Sequence, residues 1–251
     1  MTIFAIKYNA VNFQPIDPRP MMVGGTPFSS LKPAWPIGPR QKGFSTVSLG
    51  SYKKESMKNI NVLLFKDFTT LDALGPTEVI SRLKDHFYID YYSISGGQAQ
   101  GSGNVTIYTK PTKEIQKHDV LLVPGGFGTR ELVKDINFIE HLKVLAEKSE
   151  TILCICTGSA LLAKTGLLKG VNATSNKMAW DWVIQQDTEV LWKRKARWMV
   201  DGKFYTSSGV SAGIDMSLGF LEDNFGKHVA IQIGKTLEYV WDDDRTHDPF
   251  A

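Results

Sequence analysis

The sequence predicts an α/β fold built on a largely parallel sheet. Strand-like apolar runs alternate with helical patterns at a spacing suited to β-α-β units. Three of those runs, NVLLF (Asn61–Phe65), DVLLV (Asp119–Val123) and TILCI (Thr151–Ile155), are continuously apolar, as expected of strands covered on both faces. The third runs into Cys156-Thr157-Gly158-Ser159 and then into a helical pattern. That places a cysteine at a strand-to-helix turn.

Residues 1–57 differ from the remainder. Seven of the eleven prolines fall there, and no period of 2 or 3.6 is sustained. Such a composition buries too little apolar surface to offset its ordering entropy, so disorder is expected. Three origins fit this stretch. Translation upstream of a natural start at Met57 is preferred over a basic, acid-poor targeting segment or an appended arm.

Charge divides at the same place: residues 1–57 carry +5 and residues 58–251 carry −2, for a formal net charge of +3. A nearly neutral body offers no electrostatic footprint for nucleic acid. No apolar run reaches the length of a membrane span. Two cysteines two residues apart, Cys154 and Cys156, supply no disulfide framework, so a cytoplasmic, reducing setting is expected.

In order, the body reads as a strand at Asn61–Phe65, the polar loop KDFTTLDALGP, and a helix from Pro76 to Lys84. A strand at Phe87–Ile94, the glycine-rich loop SGGQAQGSGN and a short strand at Val105–Tyr108, possible partner in a hairpin, come next. Then follow the strand Asp119–Val123, a helix over Asn137–Glu147, the strand Thr151–Ile155 and a helix over Gly158–Leu168. Val171–Thr174 reads as a strand and Lys177–Gln185 as a helix. Asp201-Gly202 joins Arg197–Val200 to Lys203–Thr206 as a hairpin. Helices reaching Phe225, capped by Ser211, and over Lys227–Trp241 close the domain, and the acidic tail is expected at the surface.

Ligands of such folds sit beyond the C-terminal strand ends, at the point where strand order reverses. Three candidates lie there. Cys156 stands close to a helix N-terminus, whose N–H groups and dipole favour a thiolate; Gly158 and Ser159 give a tight elbow its room. A structural role is the alternative, and it is the role assigned to Cys154. Asp72, between Leu71 and Ala73, is either a partly desolvated general acid/base or, more plainly, a cap ahead of Gly75-Pro76. In the turn PGGFG (Pro124–Gly128), Gly125 and Gly126 can aim N–H groups at an anion. Each of the five histidines reads as a surface residue, and no Cys/His cluster has metal-ligand spacing. Trp180, Trp182, Trp192 and Trp198 read as core.

LLVPGGFG, CICTGSALLAKTGLLKG, ATSNKMAWDWV and SSGVSAGIDMSLGF together resemble the ThiJ/PfpI superfamily, relatives of the class I glutamine amidotransferase fold. The resemblance spans about Asn59 to Trp241 and implies a flavodoxin-like three-layer sandwich with a nucleophile elbow. LDALGP with C-T-G-S is most similar to the isocyanide hydratase branch. By resemblance, Cys156 is the nucleophile, Asp72 its acid/base, and the Thr157 hydroxyl part of the site. The N–H groups of Gly126 and Thr157 would stabilise a developing anion, while Gly125 and Asn176 would line the substrate pocket. A cofactor-free homodimer acting on a small molecule is implied.

Two features depart from relatives. Thr157 stands where amidase-like members place a histidine directly after the cysteine. Thr174-Ser175-Asn176-Lys177 stands where hydratases and related regulators read T-T-H-W, putting Asn176 in place of a histidine. The regulators also append a helix-turn-helix domain, and no stretch of that length follows Trp241. The expected activity is hydration of an isocyanide to an N-substituted formamide. Hydration of a 2-oxoaldehyde, amide or peptide hydrolysis, and a non-enzymatic redox-sensing or stress role are the alternatives.

Overall fold

The computed structural model describes residues 57–251, together with the two-residue strands β1 (Met22–Val23) and β2 (Thr26–Pro27), which pair antiparallel. The rest of the expected disordered extension, residues 1–57, lies outside the described residues. The chain divides into a unit over Met1–Thr46 and one over Val47–Ala251, and the fold below belongs to the second.

Its elements in order are β3 (Lys58–Leu63), α1 (Thr70–Ser81), β4 (Phe87–Ser93), β5 (Gly97–Gln100), β6 (Thr106–Pro111) and β7 (Val120–Val123). There follow α2 (Thr129–Leu132), α3 (Ile136–Lys148), β8 (Thr151–Cys154), α4 (Gly158–Lys164), β9 (Asn172–Ala173) and α5 (Trp180–Ile184). The last are β10 (Leu191–Trp192), β11 (Trp198–Asp201), β12 (Phe204–Ser207), α6 (Ala212–Phe225) and α7 (Lys227–Thr236).

Eight strands form one sheet in the order β11-β12-β8-β7-β3-β4-β6-β5. The six inner strands run parallel, and the hairpins β11/β12 and β5/β6 add an antiparallel strand at each edge. From β3 the chain steps to β4 on one side and later returns to β7 and β8 on the other, so strand order reverses between β3 and β7. Right-handed crossovers on opposite sides of that point place helices on both faces. Accordingly α1 packs with α6 and α6 with α7, while α3 packs with α4. The flavodoxin-like α/β expectation is met.

All four residues of β7 are buried, as are Ile152, Leu153 and Cys154 of β8, in keeping with strands sandwiched between helices. Helix α3 begins on a side-chain cap, Asp135 accepting the Phe138 N–H at 3.1 Å, and buries Phe138, Leu142, Leu145 and Ala146 on one stripe. Among the described residues, no helix is long and apolar enough to cross a membrane.

Several elements depart from the sequence reading. Helix α1 starts at Thr70, six residues before Pro76, because Thr70 is anchored on Ser102 through its N–H (3.0 Å) and hydroxyl (2.6 Å). Seven of its twelve residues are buried, and that packing outweighs a proline that removes one helical hydrogen bond. Asp72 is thus inside the first helical turn, neither a cap nor in a loop. The glycine-rich segment contains a strand, β5, because Gly97–Gln100 finds the open edge of β6. Helix α4 stops at Lys164, where Gly166 turns the chain at φ 77°. Ser211 precedes α6 without a side-chain cap bond.

The tail is not all surface. Helix α7 ends at Thr236, and the chain turns back so that Tyr239 Oη and Trp241 Nε1 donate to the side chain and carbonyl of Asp215 at 3.0 and 3.1 Å. Asp248 is buried, its N–H donating to the Lys195 carbonyl at 2.7 Å. Arg197 links these segments: its Nε donates to Asp215 Oδ2 at 2.8 Å and its Nη1 lies 3.8 Å from Asp248 Oδ1. Removing one partner of such a pair leaves a buried charge uncompensated. Arg197→Met should therefore cost about 3–5 kcal/mol, read from denaturant unfolding; a loss below about 1 kcal/mol would contradict that burden.

Candidate active site

The loops leaving β3, β7 and β8 meet where strand order reverses. Phe68 and Gly126 form an antiparallel bridge, the Thr69 N–H donates to the Gly125 carbonyl at 2.9 Å, and the Gly128 N–H donates to the Asp67 carbonyl at 3.1 Å. A methyl at Gly125 would lie 2.6 Å from Thr157 N and 2.9 Å from Asp72 Oδ2. At Gly158 it would lie 2.6 and 2.8 Å from the Val123 and Pro124 carbonyls. Glycine at these two positions lets the three loops approach backbone to backbone.

Cys156 takes φ 55°, a left-handed conformation rare for a side-chain-bearing residue and of order 1–3 kcal/mol in cost. The surroundings hold it there. Ser175 Oγ donates to the Cys156 carbonyl at 2.9 Å and accepts from Ser159 Oγ at 2.7 Å, while the Gly158 N–H donates to the Ile155 carbonyl at 2.9 Å. This is a nucleophile elbow in geometry. The residue is 5 % exposed and lines a cleft of about 290 Å³. The cleft is walled by Thr69, Gly126, Phe127, Arg130, Thr157, Asn176, Met178, Ala179 and Val210, and among the described residues no histidine lines it.

Asp72 is wholly buried. Its Oδ2 accepts the Gly125 N–H at 2.9 Å, whereas Oδ1 has no N–H or O–H partner among the described residues. Burial pushes the carboxyl up to about 7, against the opposing pull of the Gly125 N–H and the Cys156 thiol. Burial, followed by the Asp72 charge, pushes the Cys156 thiol up to about 12; the N–H and hydroxyl of Thr157 and the amide of Asn176 pull it down. The readier ionisation expected beside a helix N-terminus is thus overturned, because desolvation outweighs those donors. Between the two values the pair holds one proton and one negative charge. Passing that proton from sulfur to carboxyl yields a thiolate beside a carboxylic acid.

The glycine turn also differs from expectation. The Gly126 N–H donates to Thr157 Oγ1 at 3.0 Å and the Gly125 N–H to Asp72, so neither is free for a substrate anion. Thr157 Oγ1 further accepts from Thr129 Oγ1 at 3.2 Å. Asn176 does line the cleft: its Oδ1 accepts the Ala179 N–H at 3.0 Å and its amide hydrogen-bonds the thiol. Next to it, buried Lys177 donates to Thr174 Oγ1 (2.8 Å), the Ala196 carbonyl (2.9 Å) and the Ser175 carbonyl (3.1 Å), fixing the segment.

Sequence reasoning missed Arg130, Trp182 and Ser175. Arg130 sits two residues beyond the glycine turn, and a cation so close to a strand's C-terminal end is a usable signal. Trp182, read as core, instead carries the Arg130 guanidinium 3.6 Å above its ring. Trp180 and Trp198 are buried as expected.

The model of the DJ-1/PfpI family matches residues 58–223, two thirds of the sequence and every loop of the cleft. The chain belongs to the DJ-1/PfpI family. It is 29% identical over 184 residues to isonitrile hydratase of Pseudomonas putida, covering 72% of this chain and 78% of that one. It is 28% identical over 179 residues to the HTH-type transcriptional regulator CdhR of Pseudomonas aeruginosa, covering 69% of this chain and 52% of the regulator. Among solved structures, a ThiJ/PfpI family protein from Pseudomonas syringae superposes with TM-score 0.69 at 24% identity, over 82% of this chain and 84% of that one. Drosophila melanogaster DJ-1beta superposes with TM-score 0.64 at 21% identity, over 74% of this chain and all of that one. These two likenesses establish the fold.

The raised carboxyl gives a stability signature. Relative to its ordinary value of 3.8, the folded value near 7 favours the protonated acid. The contribution is fully present below pH 3.8 and is lost as pH rises through 7, on the order of 4 kcal/mol. Asp72→Asn should therefore unfold at higher denaturant than the wild type at pH 8, with the gap narrowing toward pH 5. Equal gaps at both pH values would contradict a buried, raised carboxyl.

Proposed function

We propose that this protein is a cysteine-dependent hydratase converting an isocyanide to an N-substituted formamide. The observation that carries the reading is the buried Asp72–Cys156 pair, which holds one movable proton in a cleft lined by no histidine. With the proton on Asp72, the Cys156 thiolate attacks the terminal carbon of R–NC and forms the C–S bond. Asp72 delivers its proton to that carbon, giving the thioimidate R–N=CH–S–Cys. Water then adds across C=N, its hydroxyl to carbon and a proton to nitrogen. The Asp72 carboxylate takes the hydroxyl proton as the C–S bond breaks, releasing R–NH–CHO and restoring thiolate and acid. One water is consumed and no electron leaves the system.

The committed glycine N–H groups favour this chemistry over amide hydrolysis. Amide attack builds an oxyanion at once and needs free donors aimed at it, whereas addition to an isocyanide places charge on carbon, where a proton quenches it. The isonitrile hydratase relative supports the same reading. In this proposal the protein acts as a cytoplasmic homodimer on a small substrate without a cofactor, with Thr157 and Asn176 orienting the thiol.

The test is formamide formation from an alkyl isocyanide. Cys156→Ala should abolish it and Asp72→Asn should lower kcat by about 100-fold or more, as loss of a general acid does. Wild-type product no greater than that of Cys156→Ala would end the proposal.

A further inference from the structure

Arg130 lines the cleft beside the thiol yet has no carboxylate partner among the described residues. A guanidinium has five N–H donors in a planar fork. One bond is made, from Nη1 to Thr129 Oγ1 at 3.1 Å. The plane is held over Trp182, at 3.6 Å from the ring centre, so the fork is fixed before any ligand arrives. The side chain is half-buried, and burial works against its charge while Cys156 favours it. By contrast Lys177, a buried cation next to Asn176, is saturated by Thr174, two carbonyls and an ion pair at 3.6 Å to Asp248. Of the remaining cleft wall, Phe127, Met178, Ala179 and Val210 are apolar, and Thr69, Thr157 and Asn176 are polar but uncharged. A half-buried, pre-oriented fork that is the one cationic group among the described lining residues fits a planar anion.

We propose that Arg130 is a specificity-determining residue that binds a carboxylate of the substrate and holds its reactive carbon over Cys156. The substrate class is a small carboxylate-bearing electrophile; resting on the function proposed above, it is an isocyano-carboxylate, and the product an N-formyl amino acid. The cleft, at about 290 Å³, sits at the small end of ligand sites and suits such a molecule. The competing role for Arg130 is to stabilise the Cys156 thiolate itself, which would make it indifferent to charge on the substrate.

Two alkylating reagents separate these roles without requiring turnover. Iodoacetate and iodoacetamide differ chiefly in the charge of one end, and mass spectrometry of the full-length protein reads their attachment to Cys156. Iodoacetate should show saturation, and N-formylglycine should protect Cys156 where N-methylformamide does not. Arg130→Gln should lower the iodoacetate-to-iodoacetamide rate ratio about 10- to 100-fold, the loss of one charge-assisted anion contact. Arg130→Lys, which keeps the charge and loses the fork, should fall between, and it serves if Arg130→Gln does not fold. A ratio unchanged in the variants, or equal protection by the neutral amide, overturns the proposal.

Turnover of isocyanoacetate against its methyl ester then distinguishes the two proposals. A lower KM for the acid, narrowed in Arg130→Lys and lost in Arg130→Gln, supports both. Formamide from neither compound, with charge-selective alkylation intact, overturns isocyanide hydration and leaves the anion site standing. Formamide from both with equal KM overturns the anion site alone.

Discussion

The site depends on one close approach: Gly125 lets Asp72 reach the elbow. Its N–H holds one carboxylate oxygen, and its bare α-carbon leaves space that a methyl would take from both Thr157 and Asp72. That contact joins the first turn of α1 to the start of α4 across the end of β7. It sets the carboxyl beside the thiol and buries both. Burial then raises both acids, so that the carboxyl, fully ionised at neutral pH if exposed, titrates near 7 while the thiol keeps its proton.

The cost of this arrangement is spread over the surrounding structure. Cys156 sits in a left-handed conformation, and Asp72 demands a proton or an uncompensated charge in the core. Serine hydroxyls hold the elbow carbonyl, and Lys177 clamps the segment that presents Asn176. Lys177 is in turn opposed by Asp248 from the C-terminal tail, and Arg197 meets both Asp215 and Asp248. The tail is therefore part of the scaffold behind the cleft.

Much of this was legible in the sequence. Continuous apolar runs mark β3, β7 and β8, and the cysteine-glycine turn marks the elbow, because burial and tight turns leave local signatures. Placing Asp72, Gly126 and Cys156 together needed only the rule that strand ends gather ligands, while Gly125, Thr157 and Asn176 came with the family resemblance. Other features have no local signature. Pro76 hid the onset of α1, since the stabilisation comes from packing on α6 and from Ser102, 32 residues beyond Thr70. The partners of Gly126 N–H, the stack of Arg130 on Trp182 and the burial of Asp248 are all tertiary contacts. The direction of the thiol shift was misjudged because helix-end donors can be read from a sequence and desolvation cannot.

The central claim is the shared proton, and the pH dependence of Cys156 alkylation by iodoacetamide tests it most directly. With Asp72 present, the rate should rise through an inflection near pH 7 to a plateau, as the pair loses its first proton and part of the remaining charge resides on sulfur. In Asp72→Asn that inflection should vanish, leaving only a rise at high pH. A wild-type rate that climbs steadily with pH, or an inflection that survives in Asp72→Asn, would contradict the account.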